Sequence, residues 1–382
     1  MNSKVKVFRI VTSDFAVKAH LTNTLDRIDS DLIIYVIGDN VKQFSNKYPH
    51  VTFVNVPIKR KINLFYDLYA LLNLIFHCLI YKPTVIHTIM PKAGLLGSIA
   101  GYVTLVPKRF HTFTGQVWTT FSFIKRSIFI KIDQFICLLN TENFTDSLSQ
   151  SNFLFENKIM SKKNTPLPFF FKGSLSGVDL LKFSPLLKIS DHAKKFRKEL
   201  KLSENDFIVL YMARKTVDKG ALDFLKIVKE LNNNHFEKKI KFLFIGPDES
   251  DGKIDDFFLK YPKPKNLINI GKVDNHQNYI AISDILCMPS HKEGFGSIVI
   301  DCASMGVPCI GYDIVGLSDA IVNNKTGILI EEFRTSKFAN EIINFYENKK
   351  LLNTYSENCI VHTKNHYDAD LFYKKLKSKY LN

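Results

Sequence analysis

The sequence predicts an α/β protein made of two doubly wound parallel-sheet units in tandem, and three observations lead there. The chain has 382 residues, more than one ordinary domain holds. Short β-branched runs alternate with helical patterns through the first half, and the same rhythm restarts in the second. Between the two series lies KGSLSGVDLLKFSP, residues 172–185, where Gly, Ser and Pro concentrate as they do in linkers. The expected units are residues 1–184 and 185–366, with the basic stretch 367–382 forming a helix that packs back on the first unit.

In the first unit KVKVFRIVT reads as a strand, followed by a helix over residues 17–25 and the strand DLIIYVIG. The greasy stretch 68–81, LYALLNLIFHCLIY, belongs to a helix over 64–81. Its 14 residues include Asn73 and His77, too short and too polar for a membrane span, so a buried helix is expected. TVIHTIM, the small-residue helix KAGLLGSIAGYV, the strand KRFHTFTG and a basic helix ending near residue 139 complete the unit. In the second unit come the strand FIVLYMAR, the helix ALDFLKIVKEL, the strand IKFLFIG, and a loop and helix through residue 259. NLINIGKV, a helix near 278–283 and the strand DILCMPS follow.

Composition bounds the class. Hydrophobic residues make up 46% and charged residues 23%, which allows a sizeable core and excludes disorder. The opening MNSKVKVFRIVTS is a charged, strand-like start with no signal-peptide pattern, so a cytoplasmic protein is expected. Six cysteines without a C-x-x-C pair read as free core thiols, with neither zinc nor disulfides. The charge is uneven: 22 Lys and Arg against 11 Asp and Glu through residue 185, then 30 against 26. A basic first half fits nucleic acid, an anionic membrane surface or a pyrophosphate-bearing acceptor. Its clusters are interleaved with apolar residues, as in FSFIKRSIFIKIDQFICLLN at 121–140, which reads as an interfacial amphipathic segment or as an ordinary solvated helix face. Neither a stacking platform nor a recognisable binding module supports nucleic acid.

The segment HKEGFGSIVIDCASMGVPCIGY, from His291, places Glu293 and Asp301 around a glycine-rich turn and a helix ended by Gly306 and Pro308. Such a turn aims backbone N–H groups of a helix start at an anion. The plainer alternative is that both carboxylates only complement the helix dipole. Arg214 and Lys219, in MARKTVDKG after a strand, add a guanidinium fork and an ammonium suited to a diphosphate. In the first half HTIMPKAG ends a strand with Pro91, Lys92 and Gly94, and RFHTFTGQVW ends another with His111 and Gly115. Tandem α/β units bind ligands at the carboxyl ends of their strands. No Gly-x-Gly-x-x-Gly follows a predicted strand, which argues against a dinucleotide oxidoreductase.

The ordered set HTIMPKAGLLGSIAG, HTFTGQ, GSLSGVD, MARKTVDKG, EGFGSIVIDCASMGVP and VGLSDAIVNNKTGILI resembles the retaining family-4 glycosyltransferases of the GT-B fold, particularly those that assemble bacterial O-antigen and capsular polysaccharide. The resemblance implies two Rossmann-like domains facing across a cleft, a nucleotide-sugar donor, UDP-linked by expectation, held mainly by the second, and an acceptor held by the first. It implies no cofactor and no metal. Glu293 matches the first carboxylate of the family's paired-carboxylate motif, against the donor sugar. Asp301 matches the second, on the ribose, where the family usually has Glu. Arg214 and Lys219 match the diphosphate cations, Gly294, Phe295, Gly296 and Ser297 the loop against sugar and diphosphate, and Val273 a position whose backbone meets the base. His111 matches a histidine facing the transferred sugar, so Glu293 and His111 are the expected catalytic residues. The acceptor is expected to be a lipid-linked saccharide on a polyprenyl diphosphate, with the enzyme peripheral on the anionic cytoplasmic face of the inner membrane and no nucleic acid as partner. A lipid A core or soluble acceptor, a sugar-nucleotide epimerase and, more distantly, a nucleic-acid-binding protein are the alternatives.

Overall fold

A computed structural model describes residues 4–59, 61–234, 236 and 239–382. The first series of elements is β1 (Val5–Ser13), α1 (Asp14–His20), α2 (Thr22–Leu25), β2 (Leu32–Asp39), β3 (Thr52–Asn55), α3 (Leu64–Tyr81), β4 (Val85–Ile89), α4 (Pro91–Val103), β5 (Lys108–Phe113), α5 (Phe123–Leu139), β6 (Glu142–Thr145) and α6 (Leu148–Glu156). The second is α7 (Asp191–Glu199), β7 (Phe207–Met212), α8 (Ala221–Asn233), β8 (Ile240–Ile245), α9 (Lys253–Lys260), β9 (Leu267–Ile270), α10 (His276–Ala281), β10 (Ile285–Met288), α11 (Ser297–Ser304), β11 (Cys309–Tyr312), α12 (Leu317–Ala320), β12 (Gly327–Ile330), α13 (Thr335–Glu347) and α14 (Lys349–His366). A last helix, α15 (Ala369–Leu381), closes the chain.

The strands form two six-stranded sheets, ordered β3-β2-β1-β4-β5-β6 and β12-β11-β10-β7-β8-β9. Every pairing is parallel. Both sheets are covered on both faces, which is why strands such as β7 and β10 are continuous apolar runs. The fold is therefore the tandem doubly wound α/β architecture that the sequence predicts.

The chain divides into one unit of residues 1–177 with 369–382 and another of residues 178–368. The sequence places the boundary at 184, and the structure moves it earlier for a visible reason. Val178 N–H donates to the Tyr367 carbonyl at 2.6 Å, and Ser304 Oγ donates to the Phe183 carbonyl at 2.9 Å, so this stretch is tied into the second unit. Helix α15 belongs to the first unit, where Phe372, Leu376 and Tyr380, spaced four apart, join the core against β1 and β4. Lys377 binds Asp29 and Asp31 at its rim.

All six cysteines are buried core side chains. Helix α3 departs from expectation. Only Ala70, Leu74 and Cys78 are buried, and the opposite side leaves nine large apolar residues more than half exposed. A helix that is apolar all round reads as a core helix, but among the described residues α4, the sheet and the loop after β3 cover it on one side.

Candidate active site

In the second unit the chain runs from β7 to β8 and β9 in one direction, and from β10 to β11 and β12 in the other. The carboxyl ends of the adjacent strands β7 and β10 form the reversal point, where open parallel sheets bind ligands. Arg214, Lys219 and the glycine-rich turn with Glu293 sit on the loops that leave these ends, while Asp301 lies on α11 and Val273 after β9.

The loop after β7 carries Arg214 and Lys219. Buried Tyr211 staples it from below, its hydroxyl lying 3.1 Å from the Arg214 carbonyl and 3.0 Å from that of Lys219. Arg214 Nη1 meets Glu249 Oε2 at 2.8 Å, in a pair left partly open to solvent. Lys219 Nζ lies 2.8 Å from Glu293 Oε2 and donates to the Lys292 carbonyl at 2.7 Å, so one ammonium joins the two loops. Glu293 Oε1 is buried and has no hydrogen-bond partner among the described residues. An unfilled buried acceptor costs about 1–3 kcal/mol, which a ligand hydroxyl donating to it would recover.

The two loops touch backbone to backbone. Gly220, at φ +69°, sits where an added Cβ would lie 1.7 Å from the Pro289 carbonyl oxygen. Gly316, after β11, sits where an added Cβ would lie 2.4 Å from the Gly294 carbonyl oxygen and 3.2 Å from that of Glu293, and holds the glycine-rich turn from its other side. The turn ends at Gly296, and α11 then opens at Ser297, where Val299 N–H donates to the Gly296 carbonyl at 2.8 Å and the N–H groups before it have no carbonyl partner within the helix. The Phe295 side chain is not part of this polar surface: it is buried in the core against Tyr367, so only its backbone is available to a ligand. Val273 lies in the loop after β9, partly buried at the same edge.

Lys215 was not singled out in the sequence. It is buried, its Nζ bonds Asn269 Oδ1 at 2.5 Å and the Ile270 carbonyl at 2.8 Å, and its backbone pairs with residue 248. It thereby fixes the end of β9 just ahead of the Val273 loop. Burial lowers its pKa to about 8.

His291 was also missed, and it anchors the loop that carries Glu293. Its Nε2 lies 3.1 Å from Asp223 Oδ2 and its Nδ1 2.7 Å from Glu332 Oε1, between the rings of Tyr312 and Phe333. Lys226 and the Tyr312 hydroxyl share the Asp223 carboxylate. With a carboxylate on each ring nitrogen, the hydrogen bond to Asp223 foremost, the imidazolium is favoured and the pKa rises above 6.5. A raised histidine pKa gives stability that is complete below the unfolded value and is lost as pH climbs through the folded one. Melting temperature is therefore expected to fall as pH rises above about 6.5, and His291→Gln should flatten that part of the profile. An unchanged slope in His291→Gln would remove this role.

Asp301, on α11, is partly buried, and burial pushes its carboxyl up to about 7, with Asp179 adding to the effect and Lys182 opposing it. A ribose contact prefers the carboxylate as acceptor. Nucleotide affinity should thus strengthen as pH rises through about 7, and Asp301→Asn should bind weakly and without that dependence. Titrations with UDP between pH 6 and pH 8 check this; equal slopes in the two proteins would refute it.

In the first unit the expected residues are occupied structurally. His111, on β5, is 1% exposed: Thr88 Oγ1 lies 2.7 Å from its Nδ1, Phe113 packs edge-on, and burial lowers its pKa to about 3. Gly94 is needed for packing, because a Cβ there would stand 2.4 Å from the imidazole Cε1. Lys92 binds Asp67 Oδ1 at 2.8 Å and the Lys61 carbonyl at 2.6 Å, tying α4 to α3. Pro91 begins α4, where its missing N–H costs nothing. The imidazole of His111 is thus a neutral spacer between sheet and helix. What β5 offers at its carboxyl edge is the partly exposed pair Thr114 and Gly115.

The family described as glycosyl transferases group 1 matches residues 192–361, a stretch that contains Arg214, Lys219, Glu293 and Asp301. The chain is 29% identical over 350 residues to the capsular polysaccharide biosynthesis glycosyltransferase CapM of Staphylococcus aureus, covering 90% of this chain and 87% of that protein. It is 27% identical over 328 residues, 85% of this chain and 81% of the relative, to the Escherichia coli UDP-Gal:alpha-D-GlcNAc-diphosphoundecaprenol alpha-1,3-galactosyltransferase. Among solved structures, Anabaena Alr3699/HepE in complex with UDP and glucose matches with a TM-score of 0.79 at 12% identity, covering 98% of this chain and 99% of that one. A glycosyltransferase from Rickettsia africae matches with a TM-score of 0.78 at 19% identity, covering 99% and 98%. At such identities the structural likeness speaks for the fold.

Proposed function

The chain is a glycosyltransferase of the GT-B fold, and on that premise we propose that it moves a sugar from a UDP-linked donor, with retention at the anomeric carbon, to a saccharide carried on a polyprenyl diphosphate during surface polysaccharide assembly. The observation that carries the reading is the pairing of Lys219 with Glu293 at the β7/β10 reversal point, where one carboxylate oxygen is held and the other is buried and unfilled. The donor and acceptor classes draw support from the names of the E. coli relative and the UDP-bound neighbour.

The chemistry follows from these residues. Transfer breaks the bond between the anomeric carbon and the diphosphate, so negative charge grows on the leaving oxygen and positive charge on the sugar ring. Arg214, Lys219 and the N–H groups opening α11 take up the first. Glu293 meets a sugar hydroxyl through its free oxygen and faces the second. Arg214 is already paired with Glu249, but an exposed pair is worth at most about 1 kcal/mol. A charge-assisted bond to a diphosphate is worth about 1.5–3 kcal/mol, so the diphosphate wins the guanidinium. Asp301 and the Val273 backbone complete a nucleoside subsite, which Lys215 positions.

The test is transfer itself. Purified protein with a panel of UDP-sugars, EDTA and a synthetic polyprenyl-diphosphate-linked saccharide should yield an extended lipid-linked product by mass spectrometry. Dependence on added magnesium or manganese would overturn the metal-free reading. Conversion of the donor to its epimer without acceptor would favour an epimerase instead.

A further inference from the structure

Helix α3 and its neighbours form the most unusual surface among the described residues. Phe65, Leu68, Leu72, Phe76 and Leu79 recur at three- and four-residue spacing along α3, each more than half exposed, opposite the buried Ala70, Leu74 and Cys78. α4 packs against both α3 and α5, and the outer side of α5 continues the pattern with Ile124, Ile128 and Phe135, all exposed, around Lys131. Lys61 precedes α3 and Lys82 caps it, both exposed. Nearly all the net charge belongs to this unit: it has 25 Lys and Arg against 11 Asp and Glu, while the second unit has 27 against 26.

We propose that the outer face of α3, with that of α5 across α4 from it, is a membrane-docking surface that lies flat in the interface of an anionic bilayer. It does so with its apolar stripe among the acyl chains and its flanking lysines at the headgroups. Scattered exposed apolar residues are ordinary, but a contiguous face of this kind marks an interaction site. Three occupants would cover it. A second copy of the chain would bring like charges together, since the lysines rim the same face on both partners. A span is excluded by packing: α3 has 18 residues, nearly the length required, but one side is fixed to the sheet and α4, and Asp67 is ion-paired to Lys92. An anionic lipid surface satisfies both the stripe and the charge, because amphipathic segments insert a few ångströms while nearby Lys and Arg are drawn to negative headgroups. The surface belongs wholly to the first unit and does not rest on the donor site of the second.

The experiment is co-sedimentation with vesicles of phosphatidylcholine, with and without phosphatidylglycerol, for the full chain and for the variant Leu72→Glu/Phe76→Glu. Both side chains are exposed, so melting temperature and UDP affinity should stay at wild-type values, and UDP affinity reports separately on the donor site. The wild type should bind phosphatidylglycerol vesicles and be released by alkaline carbonate, and the variant should bind them about a hundredfold more weakly. A second variant, Leu72→Trp, should show a blue-shifted emission on adding these vesicles, against the background of Trp118, which is fully buried. Equal binding to neutral vesicles, retention after carbonate, or no spectral shift would each overturn the proposal. So would a wild-type dimer that binds no vesicles and is dissociated by the double substitution.

Discussion

Glu293→Gln is expected to lower kcat by about 10²–10³-fold, the loss seen when one group aimed at developing charge is removed from an enclosed site. Its affinity for UDP, which carries no sugar, should be nearly that of the wild type. The reason lies in how the two oxygens are used: Oε2 is fixed by Lys219, and Oε1 is buried and unfilled, so the negative charge is held in place before the sugar arrives. Glutamine keeps the shape and removes the charge. Because the interaction strengthens in the transition state, the loss should fall on kcat rather than on donor binding. A carboxylate that only locked Lys219 between two loops would instead lower the melting temperature of the variant and leave its kcat alone.

Gly220→Ala is expected to cost about 3 kcal/mol of stability or more, combining the left-handed conformation with a forced backbone shift. In a unit of this size that corresponds to a fall in Tm of roughly 6–12 °C. At φ +69°, an added Cβ would stand 1.7 Å from the Pro289 carbonyl oxygen, and that neighbour is backbone, which no rotamer change relieves. The loops after β7 and β10 would have to part. That separates Lys219 from Glu293, so donor KM should rise together with the loss of stability. Thermal melts and donor titrations on one preparation check both; a variant with wild-type Tm and KM would show that the loops do not meet as described.

Much of the fold is legible in the sequence because many parallel strands buried on both faces are apolar throughout, as in FIVLYM and ILCM, and several helices of the second unit start behind a glycine. The strands β3 (TFVN) and β6 (ENFT) are at least half polar, so no apolar run marks them, and β12 (GILI) was not singled out either. The cation pair and Glu293 were legible for a local reason: they sit within a few residues of strand ends, where chemistry is placed by chain order alone. Lys215 stands between Arg214 and Lys219 in the sequence and looks like a third surface cation, and only the fold shows its ammonium turned inward to Asn269. His291 gains its meaning from Asp223 and Glu332, both distant along the chain.

Two of the misreadings, His111 and α3, share one cause, which is that burial depends on what neighbours do. His111 follows the pattern of an active-site histidine at a strand's end, yet the close approach of α4, permitted by Gly94, covers its ring. Helix α3 shows the reverse: its composition is that of a core helix, and the fold provides cover for only one side. Sequence periodicity gives the faces of a helix but not how many of them the rest of the chain will meet.

The most direct test of the central claim, that the β7/β10 edge of the second unit binds the nucleoside diphosphate of the donor, is calorimetric titration of UDP in EDTA into the wild type and Arg214→Ala. The wild type should bind one UDP, and removing the guanidinium should weaken binding by about 1.5–3 kcal/mol, or at least tenfold. Equal affinity in the two proteins, or no binding by the wild type until a divalent metal is added, would contradict the account.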